Sequence, residues 1–248
     1  MGKRKRRPRA RQIPFVPNTV KLLGFVLLVA FVIALRAGYV PARYSPFAPV
    51  DLADPSGWFL DWRLSTLDDD RDMCKRLLRP PHVIAKPVPA MIERNDCGWR
   101  NGFRLARAGG ARISPQLRMT CPLAAALALW IEHRVQPAAQ KYLGTRISSL
   151  HHVGGYACRN IRGSIGRYVK IRSEHAKANA IDITSFSLAS GGRVAIAQDW
   201  PRNSAKSKFL HEIHDEACRF FRVTLGPDAN KLHRDHFHLD RGFLRACR

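Results

Sequence analysis

At 248 residues with 46% hydrophobic content, the chain can bury one sizeable core and carry a terminal extension, which excludes a miniprotein held together by disulfides for want of a core. Its 42 Lys and Arg against 19 Asp and Glu give a formal net charge of +23. The partners this suits are anionic, and at a pI near 10.9 nucleic acid is the usual candidate.

The charge begins at the N-terminus. Residues 1–21 hold eight Lys and Arg and no acid, leaving 34 basic against 19 acidic residues, a net +15, on the remainder. An apolar run over 22–35 follows and ends at Arg36. The positive-inside rule places residues 1–21 in the cytoplasm, residues 22–40 in the membrane and everything after them outside. The uncharged stretch is shorter than the ~20 residues of a full span, but Lys21 and Arg36 can snorkel and residues 37–40 can extend it. Val40-Pro41-Ala42 is a poor A-x-A cleavage site, so a single-pass inner-membrane anchor with a periplasmic C-terminal domain is expected, with a cleaved signal peptide and a secreted periplasmic protein as the alternative.

Residues 41–71 read as a linker, with Pro41, Pro46, Pro49 and Pro55, an aromatic cluster at 58–62 and Asp68-Asp69-Asp70. Its tryptophans could sit at the membrane interface or cap the domain. A short helix over 69–78 stops at Pro80-Pro81, and the folded domain occupies 72–248. Thr120 can cap a buried Ala/Leu-rich helix that runs through Cys121 and Pro122 to residue 135, with Pro137 interrupting it. Strands are predicted over 169–171, 180–184, 194–197, 223–225 and 237–239, a turn at Gly191-Gly192 and a helix over 204–221. The fold class is α+β: a mainly antiparallel sheet flanked by helices, preceded by one N-terminal hydrophobic helix.

All six cysteines follow the apolar run, as expected of disulfides in an oxidising compartment. Of the 15 connectivities, Cys218 with Cys247 is favoured because it ties the C-terminal tail to the preceding helix. No C-x-x-C spacing supports a cysteine metal cluster.

The chemistry lies in residues 173–182 and 235–240. If both are strands at their ends, alternation puts Asp182 on one face and Ile181 and Ile183 on the other. It likewise puts His236, His238 and Asp240 opposite Phe237 and Leu239. With His175 these stretches supply two imidazoles and a carboxylate, the donor set of a catalytic zinc with one position open for water. Among the other histidines, His211-Glu212-Ile213-His214 lacks the H-E-x-x-H spacing and reads as a helix surface. His151-His152 could line the groove but reads first as a solvated pair, and His233, in a turn that could contact substrate, is not assigned to the site.

The first stretch resembles the S-x-H-x-x-G-x-A-x-D signature of zinc peptidases that include D-Ala-D-Ala carboxypeptidases, lysostaphin-type endopeptidases and the hedgehog fold, and the second resembles their H-x-H. Ser173, His175, Ala180 and Asp182 match; Ala178 stands where the signature has glycine. More narrowly, Cys97-Gly98, Gly155-Tyr156-Ala157-Cys158-Arg159, the 173–176 segment and Leu225-Gly226-Pro227 are similar to the bacterial extensin-like C-terminal family, over roughly 74–248. The resemblance implies zinc ligands His175, Asp182 and His238, with His236 as general base or stabiliser of the tetrahedral intermediate. It also implies a role for Arg159 in holding a peptide carboxylate or the developing oxyanion. Asp240 could orient one imidazole. The function expected is an exported zinc metallopeptidase hydrolysing peptidoglycan stem peptides or cross-links, a carboxypeptidase or endopeptidase acting through a zinc-activated water. The alternative is a non-hydrolytic peptidoglycan-binding module. Export and the cysteines argue against nucleic acid as partner; oligomeric state is not legible.

Overall fold

The computed structural model describes residues 17–93, 95–162 and 170–248. Most of the basic tail and Val169 of the expected 169–171 strand lie outside them. The body is built on a nine-stranded mixed sheet with the order β1 (Val83–Val88), β4 (Gly102–Ala108), β5 (Ala111–Thr120), β6 (Ile147–His152), β7 (Ala180–Leu188), β10 (Phe237–Asp240), β9 (Val223–Leu225), β11 (Ala246–Cys247). β8 (Arg193–Ala195) also pairs with β7, and β2 (Met91–Ile92) with β3 (Gly98–Trp99) forms a separate ribbon. The β5/β6 and β9/β11 pairs are parallel and the other pairs antiparallel.

One sheet face is apolar by period-2 alternation and carries the helices. Phe103, Leu105, Met119, Ile181, Ile183, Phe237 and Leu239 are buried in the core that α4 (Cys121–Trp130) fills with Leu, Ala and Trp side chains, all ten of its residues buried. Thr120 is the N-cap of α4, but its hydroxyl donates to Asn179 Oδ1 at 2.7 Å instead of accepting from the helix. The helix does not end before Pro137. A π turn (Ile131–Val135) leads directly into α5 (Gln136–Leu143), where Pro137 sits in the first turn and its missing N–H is tolerated, and Gly144 at φ 65° ends the run.

The remaining elements follow the expected order with shifted bounds. The strand expected over 180–184 continues to Leu188, and the segment 194–197 divides between β8 and one helical turn, α6 (Ile196–Asp199), because Asp199 Oδ2 accepts the Ala195 N–H at 2.8 Å. Gly191 and Gly192, at φ 95° and 86°, make the β7/β8 turn. The last helix, α7 (Ala205–Ala217), is capped by Ser204, whose hydroxyl accepts from Ser207 N. Lys170 and Ile171 are not in a strand; Arg172 makes an isolated bridge with Asn160.

The segment expected as a linker is folded onto the domain. Val50, Leu52, Leu60, Leu64 and Leu67 join the main core, partly through α2 (Leu60–Thr66), and α3 (Arg71–Leu77) follows under an Asp70 cap. Asp61 of α2 accepts from Arg222 at 3.0 Å, from Arg241 at 2.8 Å and from Arg245, joining this strap to the C-terminal strands. Disulfides join Cys74 to Cys121, Cys97 to Cys158, and Cys218 to Cys247, the last as expected. Before the strap, α1 (Asn18–Arg36) is a 19-residue exposed helix of mean hydropathy 2.3, by length and composition able to cross a membrane; a signal sequence meets the same description.

Candidate metal centre

The side chains expected to act together are positioned by two strands and one turn. Asp182 on β7 stands directly opposite His238 on β10, and because Ile181, Ile183, Phe237 and Leu239 face the core, both polar side chains project from the helix-free face. His175 arrives from a 3₁₀ turn (Glu174–Lys177) whose N-cap, Ser173, accepts the His175 N–H at 3.4 Å. The turn ends at Ala178 in the left-handed conformation, φ 53° and ψ 29°. The signature's glycine position does require positive φ, and alanine holds it here at a cost of about 1 kcal/mol. The methyl group packs with Val88 and Trp99 in a small second core.

Three side chains converge. His175 Nε2 lies 3.2 Å from His238 Nδ1 and 3.2 Å from Asp182 Oδ2, and His238 Nδ1 lies 2.9 Å from Asp182 Oδ1. Tetrahedral ligands at zinc distances of ~2.05 Å stand ~3.3 Å apart, so the three donors have the spacing that such an ion needs. The outward nitrogens are committed elsewhere. His175 Nδ1 lies 2.8 Å from the Gly155 carbonyl, and His238 Nε2 lies 3.0 Å from Asp240 Oδ2. With those two N–H groups donated outward, both inward nitrogens present lone pairs to each other and to a carboxylate, an arrangement that calls for a cation.

In the metal-free protein that cation is a proton. Burial disfavours charge on His238, but hydrogen bonds to Asp182 and Asp240 and the charges of both carboxylates outweigh it, raising the imidazole to about 9. Burial would raise Asp182, yet the two imidazoles of His175 and His238 set against it outweigh burial and hold its carboxyl far below the usual range.

His236, just before β10, is next to the three donors but not one of the converging group. Its Nε2 lies 3.7 Å from Asp182 Oδ1 and its Nδ1 2.7 Å from Asp235 Oδ1, so the ring is oriented by one carboxylate and aims its other nitrogen at the centre. His233 also belongs to this cluster, its ring 5.2 Å from His236 and 5.7 Å from His238. Burial, then the charges of His238 and His236, lowers it to about 4, leaving it neutral at pH 7. Its place is set by a 3₁₀ turn (Lys231–His233) capped by Asn230, whose side chain accepts from Leu232 N. Asn230 three residues before His233 is the sequence signal for that turn.

The segment 155–159, which carries Arg159, is not a strand. It is a loop stitched to both neighbours: Val153 N donates to Asp182 O at 3.0 Å, Ala157 N to His175 O at 3.1 Å, and Ser173 N to Arg159 O at 3.0 Å. The half-buried Arg159 guanidinium is lowered by burial and by Arg162, while Asp182 opposes the shift, which puts it within the field of the centre. Gly155 is needed for closeness: a Cβ there would stand 2.8 Å from Leu117.

Other histidines differ from what their sequence context suggests. His214 is buried against Trp200 and Phe237, ring centroids 5.4 and 5.2 Å away, and is core rather than helix surface. His151 and His152 are half-buried, with Nε2 atoms 2.8 Å from Ser187 Oγ and 2.7 Å from Pro115 O, not a solvated pair. Glu93 lies near Cys97 and Cys158, but those sulfurs are bonded to each other and are not free to ligate.

The family model described as "Extensin-like protein C-terminus" matches residues 72–248. No curated protein and no solved structure matches the chain.

Proposed function

The chain belongs to the extensin-like C-terminal family, and from that premise we propose that it is an exported zinc-dependent metallopeptidase acting on peptidoglycan stem peptides or cross-links. The observation that carries this reading is the convergence of His175 Nε2, His238 Nδ1 and an Asp182 oxygen with both histidine N–H groups turned outward. These three residues would hold the ion. Zinc, when bound, supplies a Lewis acid and lowers the pKa of water toward ~7.

The remaining steps belong to the protein's own groups. His236 Nε2 takes the proton of the attacking water, and Asp235 steadies the imidazolium through Nδ1. As the carbonyl carbon gains the water oxygen and the C–N bond breaks, His236 returns that proton to the leaving amine. Arg159 offers its guanidinium to the substrate carboxylate or the developing oxyanion. Asp240 keeps the His238 ring in one orientation throughout.

In this reading α1 is retained as a single-pass inner-membrane anchor with the domain in the periplasm. Supporting it, Ser45 Oγ donates to Leu35 O at 3.5 Å and the Arg36 guanidinium lies 4.7 Å from the Phe47 ring centre, so the end of α1 is joined to the folded strap. Exposed Trp58 and Trp62 then face the lipid interface.

Metal analysis tests the ligand set. Zinc should be present at about one ion per chain in the wild type and be lost in His175→Ala, Asp182→Ala and His238→Ala. Full zinc in the latter two variants would refute the assignment. Zinc without any turnover of muropeptides would favour an envelope-binding module instead.

A further inference from the structure

The helix-free face that carries the candidate metal centre also carries, at its other end, a row of cations. Cross-strand register sets Lys86 opposite Arg104 and Arg104 opposite Arg118, and a second pair, Arg107 and Arg112, lies further along β4 and β5. All five are exposed, and β1, β4 and β5 contain no Asp or Glu. Among the described residues none of the five has an acidic partner within 4.0 Å. Like charges directly opposite one another destabilise a sheet, so this row is an electrostatic cost that no ion pair among the described residues offsets.

The row leads to the centre. Arg104 and Arg118 stand on the face opposite buried Phe103 and Met119, the same side from which Asp182 and His238 project. Both arginines line a groove of about 590 Å³ whose lining also includes Gly154 and Gly155. The Gly155 carbonyl is the acceptor that orients His175. From β5 through β6 and β7 to β10 is three strand steps of ~4.8 Å, or about 15 Å, which an extended peptide crosses in about four or five residues.

We propose that Arg104 and Arg118 form a carboxylate-binding subsite that captures the anionic end of a peptidoglycan stem peptide and lays the chain across the groove toward the metal centre. This rests on the peptidase reading for what happens at the far end. The guanidiniums give paired charge-assisted hydrogen bonds to a carboxylate, and occupancy relieves the repulsion between them.

The test is co-sedimentation of the full-length protein, in non-ionic detergent, with purified peptidoglycan sacculi, before and after their carboxylates are blocked as amides. The double variant R104Q/R118Q should bind native sacculi about tenfold more weakly, the loss of one good charge-assisted contact. Blocking should weaken its binding less than it weakens that of the wild type, and the variant should melt at the same or a higher temperature. R202Q/K208Q, which removes the same charge from an exposed site elsewhere, should bind as the wild type does. Equal losses in the two double variants, or equal binding of blocked and native sacculi by the wild type, would overturn the subsite. Loss of binding to phosphatidylglycerol micelles with sacculus binding intact would assign the face to lipid and overturn it as well. If binding follows the prediction while the zinc-loaded wild type cleaves no muropeptide, the peptidase reading fails and the subsite stands.

Discussion

Asp240 holds His238 in place: its Oδ2 lies 3.0 Å from His238 Nε2, while its Oδ1 accepts the Gly242 N–H at 2.9 Å. One carboxylate therefore fixes both the ring and the turn that ends β10. Its loss frees the imidazole to rotate and to change tautomer, so Asp240→Ala should weaken zinc binding by about 10–100-fold with the fold intact. Competition against a chromogenic chelator measures this, and affinity within twofold of wild type would show that the contact does not orient the ring.

Zinc binding should depend on pH through His238. Its imidazole is raised to about 9 in the metal-free protein, so the proton must leave before Nδ1 can ligate. Affinity should rise with pH from about 6 to 9 and level off above it, with about one proton released per ion near pH 7. Asp182, held far below the usual carboxylate range, is ionised throughout and adds no slope. The same shift makes the metal-free protein lose stability as pH rises from the ordinary ~6.5 of an unfolded histidine through about 9. Calorimetry in buffers of different ionisation enthalpy counts the protons; none released at pH 7 would contradict the arrangement.

The Asp61 carboxylate joins the strap to three arginines of the C-terminal region, and the Arg241 side chain is only 1% exposed. Burial would raise Asp61, but hydrogen bonds and charge from Arg222 and Arg241 lower it to about 2. Its contribution is therefore fully present above pH 3.8 and is lost as pH falls toward 2. Asp61→Asn should cost about 2 kcal/mol, less than a fully buried pair because the carboxylate is part-exposed. The variant should also show a flatter stability profile below pH 4 than the wild type in urea titrations. A wild-type stability would mean that the strap is held by its apolar contacts alone.

The Cys97–Cys158 bridge anchors the loop whose Gly155 carbonyl orients His175 and whose Ala157 N–H bonds the His175 carbonyl. The double variant C97S/C158S should lose zinc affinity severalfold at a temperature where it remains folded. C218S/C247S, which cuts the tail of β11 from α7, should lower the melting temperature and leave zinc affinity unchanged. Equal effects on zinc from both would remove the special role of the 155–158 loop.

The alternation around Ile181, Asp182 and Ile183 and around Phe237, His238 and Leu239 makes the two faces of the centre legible in the sequence, because strand periodicity is local. The anionic hub at Asp61 is not legible there, since its partners lie more than 160 residues away and nothing in a proline-rich, aromatic stretch marks it as core. His214 resembles a surface residue because α7 is mostly polar, and only the approach of Trp200 and Phe237 buries it. Pro137 looks like a helix end because a π turn, which moves the proline into a fresh first turn, has no composition of its own. The cation row at Arg104 and Arg118 depends on strand register, which pairs these positions across a hairpin whose strands carry too many charged residues to show a clear alternation.

The decisive measurement is zinc-dependent cleavage of muropeptides. Purified muropeptides are incubated with the zinc-loaded full-length protein, with the same protein after chelation, and with His236→Ala, and the products are weighed by mass spectrometry. Hydrolysed stem peptides are expected from the zinc-loaded wild type and not after chelation. His236→Ala should retain its zinc and lose about 10²–10⁴-fold in rate. Cleavage that persists after chelation, or an active wild type whose rate is untouched by His236→Ala, would contradict a zinc-activated water with His236 as its base.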